Sequence, residues 1–125
     1  MPHGYNGKIL HVNLSKRVWD IEESGDAFYR KYGGGSAIGM YHILRDMPAH
    51  VDAFSPENIL TFSLSVLTGA PVSGQSRMMA NAKSPLTDAI GDSQCGGYFP
   101  AEMKFAGYDA IIFRGRAPHP MYLYI

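Results

Sequence analysis

The stretch from Gly69 to Gly107 limits what this chain can fold into more than any other. Gly69, Gly74, Gly91, Gly96, Gly97 and Gly107 are spread along it, and glycine tolerates backbone angles and close approaches that side chains forbid. It reads as loops around one short strand, Met78 to Ala82, closed by a helix from about Phe99 to Ala106. Pro100 falls in the first turn, where its missing N–H costs nothing, and Gly107 supplies the stop. The amino end of that helix turns free N–H groups back toward Gly96 and Gly97, which is how anions are commonly held. Arg77 and Lys83 flank the strand as the basic side chains of an anion-site composition. The plainer alternative is that the glycines serve tight turns and Arg77 is solvated. Neither a GxxxxGK(S/T) phosphate loop nor a GxGxxG fingerprint occurs.

Upstream, Lys8 to Leu14 alternates, with Leu10, Val12 and Leu14 on one face and Ile9, His11 and Asn13 on the other. Arg17 to Glu22 follows after Ser15 and Lys16, predicting a hairpin with Trp19 and Ile21 packed inward. Asp26 can cap a short helix to about Tyr32, ended by Gly33, Gly34 and Gly35. Ser36 stands where an N-cap belongs, and Ala37, Met40, Tyr41, Leu44 and Met47 recur at helical spacing before Pro48, predicting a helix from about Ala37 to Asp46. Its glycine-rich approach is a second candidate anion site. Pro56 holds Ser55 extended in the loop from Asp52 to Asn58. Leu60, Phe62 and Leu64 then alternate with Thr61, Ser63 and Ser65, predicting a strand with one buried face.

Beyond the glycine-rich stretch, Ala110 to Phe113 is a short apolar run, Gly115 to Pro120 a turn, and Met121 to Ile125 the start of another strand. Folded proteins cover or blunt such an aromatic, branched edge. More chain or a partner is therefore expected after Ile125, with self-association into a homo-oligomer where neither is supplied.

At 125 residues, 46% apolar and 18% charged, the chain has material for one core and a single domain at most. Eleven basic residues balance eleven acidic ones, leaving no field to gather nucleic acid or an anionic membrane. The one cysteine, Cys95, excludes an internal disulfide and an all-cysteine metal site, and suits a reducing compartment. With no long apolar segment and no charged-then-apolar leader, the chain reads as cytoplasmic. His3, His11, His42, His50 and His119 are scattered without helical pairing, so a protein-ligated metal is not expected. Glu57, Asp88, Asp92, Glu102 and Asp109 show no acid-base spacing and default to solvated or capping roles, and Ser73 to Ser76 contains no GxSxG, so no catalytic residue is assigned.

The runs SPEN (Ser55 to Asn58), LTGAP (Leu67 to Pro71), KSPLT (Lys83 to Thr87) and CGGYFPAEMKFAGYDAIIFRGRA (Cys95 to Ala117) resemble, in order and spacing, the amino-terminal domain of the aldehyde ferredoxin oxidoreductase family. These are tungsten enzymes with a bis-pterin cofactor, tungstopterin. The resemblance runs from Gly7-Lys8-Ile9-Leu10 onward, yet corresponds to only the first part of a longer enzyme. It implies an α+β fold: a β-rich base for the cofactor with two or three short helices, incomplete as it stands. Arg77 stands at the position of a cofactor-binding arginine, near the junction of pterin and iron-sulfur cluster. Gln94 and Gly96 fall on positions lining the pterin and its bridging magnesium, with Cys95 and Gly97 in the same turn.

The family commonly has Asn-Ser-Gly-Gly where this chain has Gln94-Cys95-Gly96-Gly97. If magnesium takes a backbone oxygen at Gln94, the longer side chain is harmless; if it takes the side-chain amide, the added methylene displaces it. Cys95 reads as a small residue replacing serine, because pterin sulfurs hold the tungsten in this family. Ser36 stands where the family often has arginine, a departure that weakens a cofactor role for that turn.

By the same resemblance the parent enzyme oxidises an aldehyde to a carboxylic acid and passes electrons through a 4Fe-4S cluster to ferredoxin. The cluster cysteines and the residues acting on substrate would lie outside this chain, in the remainder of the enzyme or a partner subunit, so the chain alone is expected to be inactive. Two alternatives stay open: an aryl-CoA-reducing tungsten subunit of the same family, and a free-standing module that binds a pterin or phosphorylated ligand or pairs with itself.

Overall fold

In the computed structural model, which describes residues 4–125, the predicted hairpin forms from β1 (Lys8–Asn13) and β2 (Val18–Glu23), with Leu10 opposite Ile21 and Val12 opposite Trp19. His3 lies outside the described residues. Then come α1 (Asp26–Tyr32), α2 (Ser36–Asp46), β3 (Leu60–Leu64), β4 (Met78–Lys83), β5 (Ile90–Cys95), α3 (Tyr98–Phe105) and β6 (Ala110–Arg114). All six strands join one sheet of order β2-β1-β6-β3-β4-β5, and β6 lies parallel to β1 while every other pair is antiparallel. The last strand in sequence is thus interior in space. Its run Ala110, Ile111, Ile112 is buried throughout, as a strand covered on both faces requires. The α+β class implied by the resemblance is the one observed.

Helices α1 and α2 cover one face, where Ile9, Tyr29, Ile38, Ile43, Ile59, Ala110 and Ile112 form a core. On the other face Leu10, Val12, Leu64, Met78 and Ile111 pack with Met103 of α3. That cover is partial, and it corrects the expectation for β2: Trp19 is 66% exposed and Ile21 is also exposed. Both belong to an edge strand, beyond the reach of α3.

Other expectations are corrected by the same asymmetry. In β3 the polar alternates Thr61 and Ser63 are fully buried, since they face α2, and on the predicted apolar face Leu64 is buried, Phe62 half-buried and Leu60, toward the open side, exposed. Helix α2 buries Ile38, Gly39, His42 and Ile43, not the predicted stripe, and Leu44 is 81% exposed. The cause is Gly39: a Cβ there would meet Asn81 Oδ1 at 2.4 Å and Thr61 Oγ1 at 2.5 Å, so the helix settles onto the sheet through its glycine. Gly35, with no side-chain cap, replaces Ser36 as N-cap. β5 was not foreseen, so the glycine-rich stretch holds two strands rather than one. Met121 to Ile125 forms no strand; it runs without sheet pairing and stays exposed.

Gly39→Ala is therefore expected to destabilise despite alanine's better helix propensity. Overpacking against two buried side chains costs about 1–3 kcal/mol, against roughly 1 kcal/mol gained from propensity. A lower urea midpoint with unchanged slope would show it.

Candidate functional site

The residues assigned to cofactor binding come from the end of β5 and the loop before β4. β4 and β5 pair so that Met78 faces Cys95 and Met79 faces Gln94. Arg77, one residue before β4, therefore lies beside Gln94, and its Nη1 is 3.5 Å from Gln94 Oε1. Gly96 backs onto the same loop: a Cβ on it would stand 3.5 Å from the Ser76 carbonyl oxygen. The structure thus brings Arg77, Gln94 and Gly96 to one corner of the sheet, although Gln94 and Cys95 end a strand rather than sit in a turn. Among the described residues Arg77 makes no ion pair. Cys95 is exposed, with its Sγ 3.4 Å from the Gly96 carbonyl oxygen. Pairing with Met78 sets Cys95 one residue out of phase with Gln94, on the opposite face of the sheet.

Gly97 is the N-cap of α3, with φ +88 and no side-chain cap, so the first N–H groups of that helix are unclaimed by a cap. They open onto the Gly96–Gly97 link, as the sequence anticipated. These donors, a guanidinium fork and glycine-permitted approach suit a phosphate-bearing pterin.

The other two features named as anion-binding are accounted for within the chain. Lys83, at the far end of β4, donates from Nζ to the Val51 carbonyl at 2.6 Å and pairs with Asp88 at 2.7 Å, so it does not join Arg77. At the amino end of α2, Ser36 donates its hydroxyl to Asp92 at 3.0 Å, placing the protein's own carboxylate where an anion would go.

Two polar clusters were not foreseen. Lys104 and Asp109, 3.0 Å apart, are each only 1% exposed, which corrects the solvated role expected for Asp109. The second joins β1, β2 and α2. Arg45 donates to both Glu22 and Asp46, and its own ionisation is pushed up by those carboxylates. Glu22 is held below the usual carboxylate range, chiefly by the Arg45 hydrogen bonds. For Asp46, burial acts upward but is outweighed by Arg45 and Arg114, and the group falls to about 2. Burial lowers His42 to about 4, against the opposing pull of Glu22. The hairpin alternation, once its register is known, sets His11 and Glu22 on one face, and that was the signal available in the sequence.

Taken together, the fold and the corner define an α+β sheet domain, helix-covered on one face and largely open on the other, with donors gathered at one end of β4 and β5. The model of the aldehyde ferredoxin oxidoreductase N-terminal domain matches residues 9–125, and the chain belongs to that family. It is 48% identical over 122 residues to the tungsten-containing aldehyde ferredoxin oxidoreductase of Pyrococcus abyssi, covering 98% of this chain and 20% of that protein. It is 34% identical to the aliphatic sulfonate oxidoreductase WOR-like subunit of Pyrococcus furiosus, with the same coverage. Among solved structures it matches the active site complex BamBC of benzoyl coenzyme A reductase, in complex with 1,5 dienoyl-CoA, at TM-score 0.89 and 34% identity, covering 94% of this chain and 18% of that one. The chain thus spans about a fifth of the length of the curated relatives. No helix among the described residues is long and apolar enough to cross a membrane.

Proposed function

We propose that this domain is the tungstopterin-binding base of an oxidoreductase that converts aldehydes to carboxylic acids with ferredoxin as electron acceptor. The observation that carries it is the corner: Arg77, without an ion-pair partner among the described residues, lies beside Gln94, three residues ahead of Gly97 at the uncapped start of α3, in a chain of a family whose curated relatives are named as tungsten-containing. In this reading Arg77 offers two parallel N–H groups to acceptors of the cofactor, Gly96 and Gly97 admit it close to the backbone, and Gln94 presents an oxygen to magnesium. When bound, the tungsten centre supplies the two-electron redox chemistry. The 4Fe-4S cluster and the groups that handle substrate are contributed from outside this chain, which binds and orients but does not catalyse alone.

The test is Arg77→Lys in the complete enzyme, with tungsten and pterin measured per polypeptide. Charge is kept and the fork is lost, so cofactor retention is expected to fall roughly tenfold or more, as loss of a charged hydrogen bond worth about 1.5–3 kcal/mol implies. Unchanged tungsten and pterin contents would remove Arg77 from the site. The likeness to BamBC supports a second reading, reduction of an aryl-CoA thioester. Assaying the complete protein with an aldehyde and with an aryl-CoA separates the two.

A further inference from the structure

Apart from the corner at Arg77, the most unusual grouping of donor atoms lies between β1, β2 and α2. We propose that His11, Glu22 and His42 form a site for a divalent first-row transition ion. One candidate donor atom from each lies within 4.8 Å of the others. His11 Nε2 is 3.0 Å from Glu22 Oε2. The same carboxylate oxygen is 2.9 Å from Arg45 Nη2, and that nitrogen is 3.1 Å from His42 Nδ1. Ring nitrogens and a carboxylate thus gather about a point that a cation already holds. His42 is 0% exposed and its Nε2 has no hydrogen-bond partner among the described residues, so the polar contacts of this wholly buried ring run through Nδ1, to the guanidinium and, at 3.8 Å, to Asp46, while Phe28 and Tyr41 pack against the ring itself. Two imidazoles and one carboxylate form a donor set that suits zinc(II) and its neighbours rather than calcium or magnesium, which prefer oxygen alone.

Arg45 is a placeholder and not a barrier. It also donates from Nε to Asp46 Oδ1 at 2.8 Å and from Nη2 to Asp46 Oδ2 at 2.9 Å, and its side chain is 35% exposed. It can therefore keep Asp46 Oδ1 through Nε while Nη2 withdraws from Glu22, His42 and Asp46 Oδ2 together. A cleft of about 360 Å³, lined in part by His11, Asp20, Glu22, Arg45 and Arg114, opens onto the first two ligands and gives the ion a way in. Water completes the coordination. The ion then clips the β1–β2 hairpin to α2, a role otherwise left to the Arg45–Glu22 pair.

Titration of zinc(II) into the chelator-stripped chain at neutral pH, followed by calorimetry and by metal analysis after desalting, tests this. One zinc per chain is expected, with affinity falling about tenfold or more in Glu22→Gln and in His42→Gln, and circular dichroism reporting whether each variant folds. Arg45→Gln removes the competing cation, so it is expected to tighten zinc binding severalfold, which adventitious surface binding would not reproduce. Should His42→Gln fail to fold, Glu22→Gln and Arg45→Gln decide alone, because both positions are partly exposed. Less than one zinc retained by the unmodified chain overturns the proposal. So does binding unaltered by Glu22→Gln and Arg45→Gln, which would belong to exposed His50 or His119.

Discussion

Asp109→Ala is expected to abolish cooperative folding or bring it close to collapse. The carboxylate accepts from the backbone N–H of Asn6 at 2.8 Å, that of Gly7 at 2.7 Å, the Tyr29 hydroxyl at 2.9 Å and Lys104 Nζ at 3.0 Å. It ties the segment ahead of β1 to α1 and α3, and its removal leaves the Lys104 ammonium buried with, among the described residues, only the Gly4 carbonyl, 2.8 Å away. Stranding one member of a buried ion pair costs about 3–5 kcal/mol, and the orphaned N–H and hydroxyl donors add about 1–3 kcal/mol each. A small domain has roughly 5–15 kcal/mol in total. Lys104→Met should cost clearly less, because the carboxylate keeps Asn6, Gly7 and Tyr29. Urea unfolding of both variants checks this order, and a Lys104→Met penalty equal to that of Asp109→Ala would show that the cation, not the anion, organises the cluster.

That cluster also shows where legibility in the sequence stops. The hairpin, the existence of α2, β4 and α3 with Pro100 and Gly107 were readable because alternation and helix punctuation are local signals. Asp109 looked like any surface acid because its partners Asn6 and Gly7 lie 103 and 102 residues away. β5 is hard to read from the sequence because Gly91 and Asp92 are residues that an edge strand tolerates but strand propensity disfavours. Periodicity points to a different face of α2 because it counts apolar side chains, while Gly39, with none, sets the contact. Arg77 and Gln94 were named together by resemblance; only the pairing of β4 with β5 explains why residues 17 apart in sequence stand 3.5 Å apart. His11, Glu22 and His42, scattered in the chain, come together only through sheet register and helix packing.

Gly34→Ala should have the second large effect, and for a reason its neighbour does not share. Gly34 has φ +122, and a Cβ there would lie 2.6 Å from the Leu64 carbonyl oxygen and 2.9 Å from Ser65 Cα, both backbone atoms that cannot swing aside. The contact is structural: Gly34 bridges to Ser65, and the Gly35 N–H donates to the Leu64 oxygen at 2.9 Å, which seats the start of α2 against the end of β3. Backbone strain of about 1–3 kcal/mol and overpacking of about 1–3 kcal/mol act together, so melting should fall by roughly 10 °C or more for a domain of this size. Gly33 caps α1 at φ +70 with nothing among the described residues within 4 Å of its would-be Cβ. Gly33→Asn, which tolerates the left-handed region, should therefore cost about 1 kcal/mol or less. Because Ser36 at the head of α2 holds Asp92, two residues before Gln94 on β5, the displaced helix start should also disturb the Arg77 corner. Tungsten and pterin contents of the complete enzyme should then fall for Gly34→Ala and hold for Gly33→Asn, and equal effects from the two substitutions would refute this account of the turn.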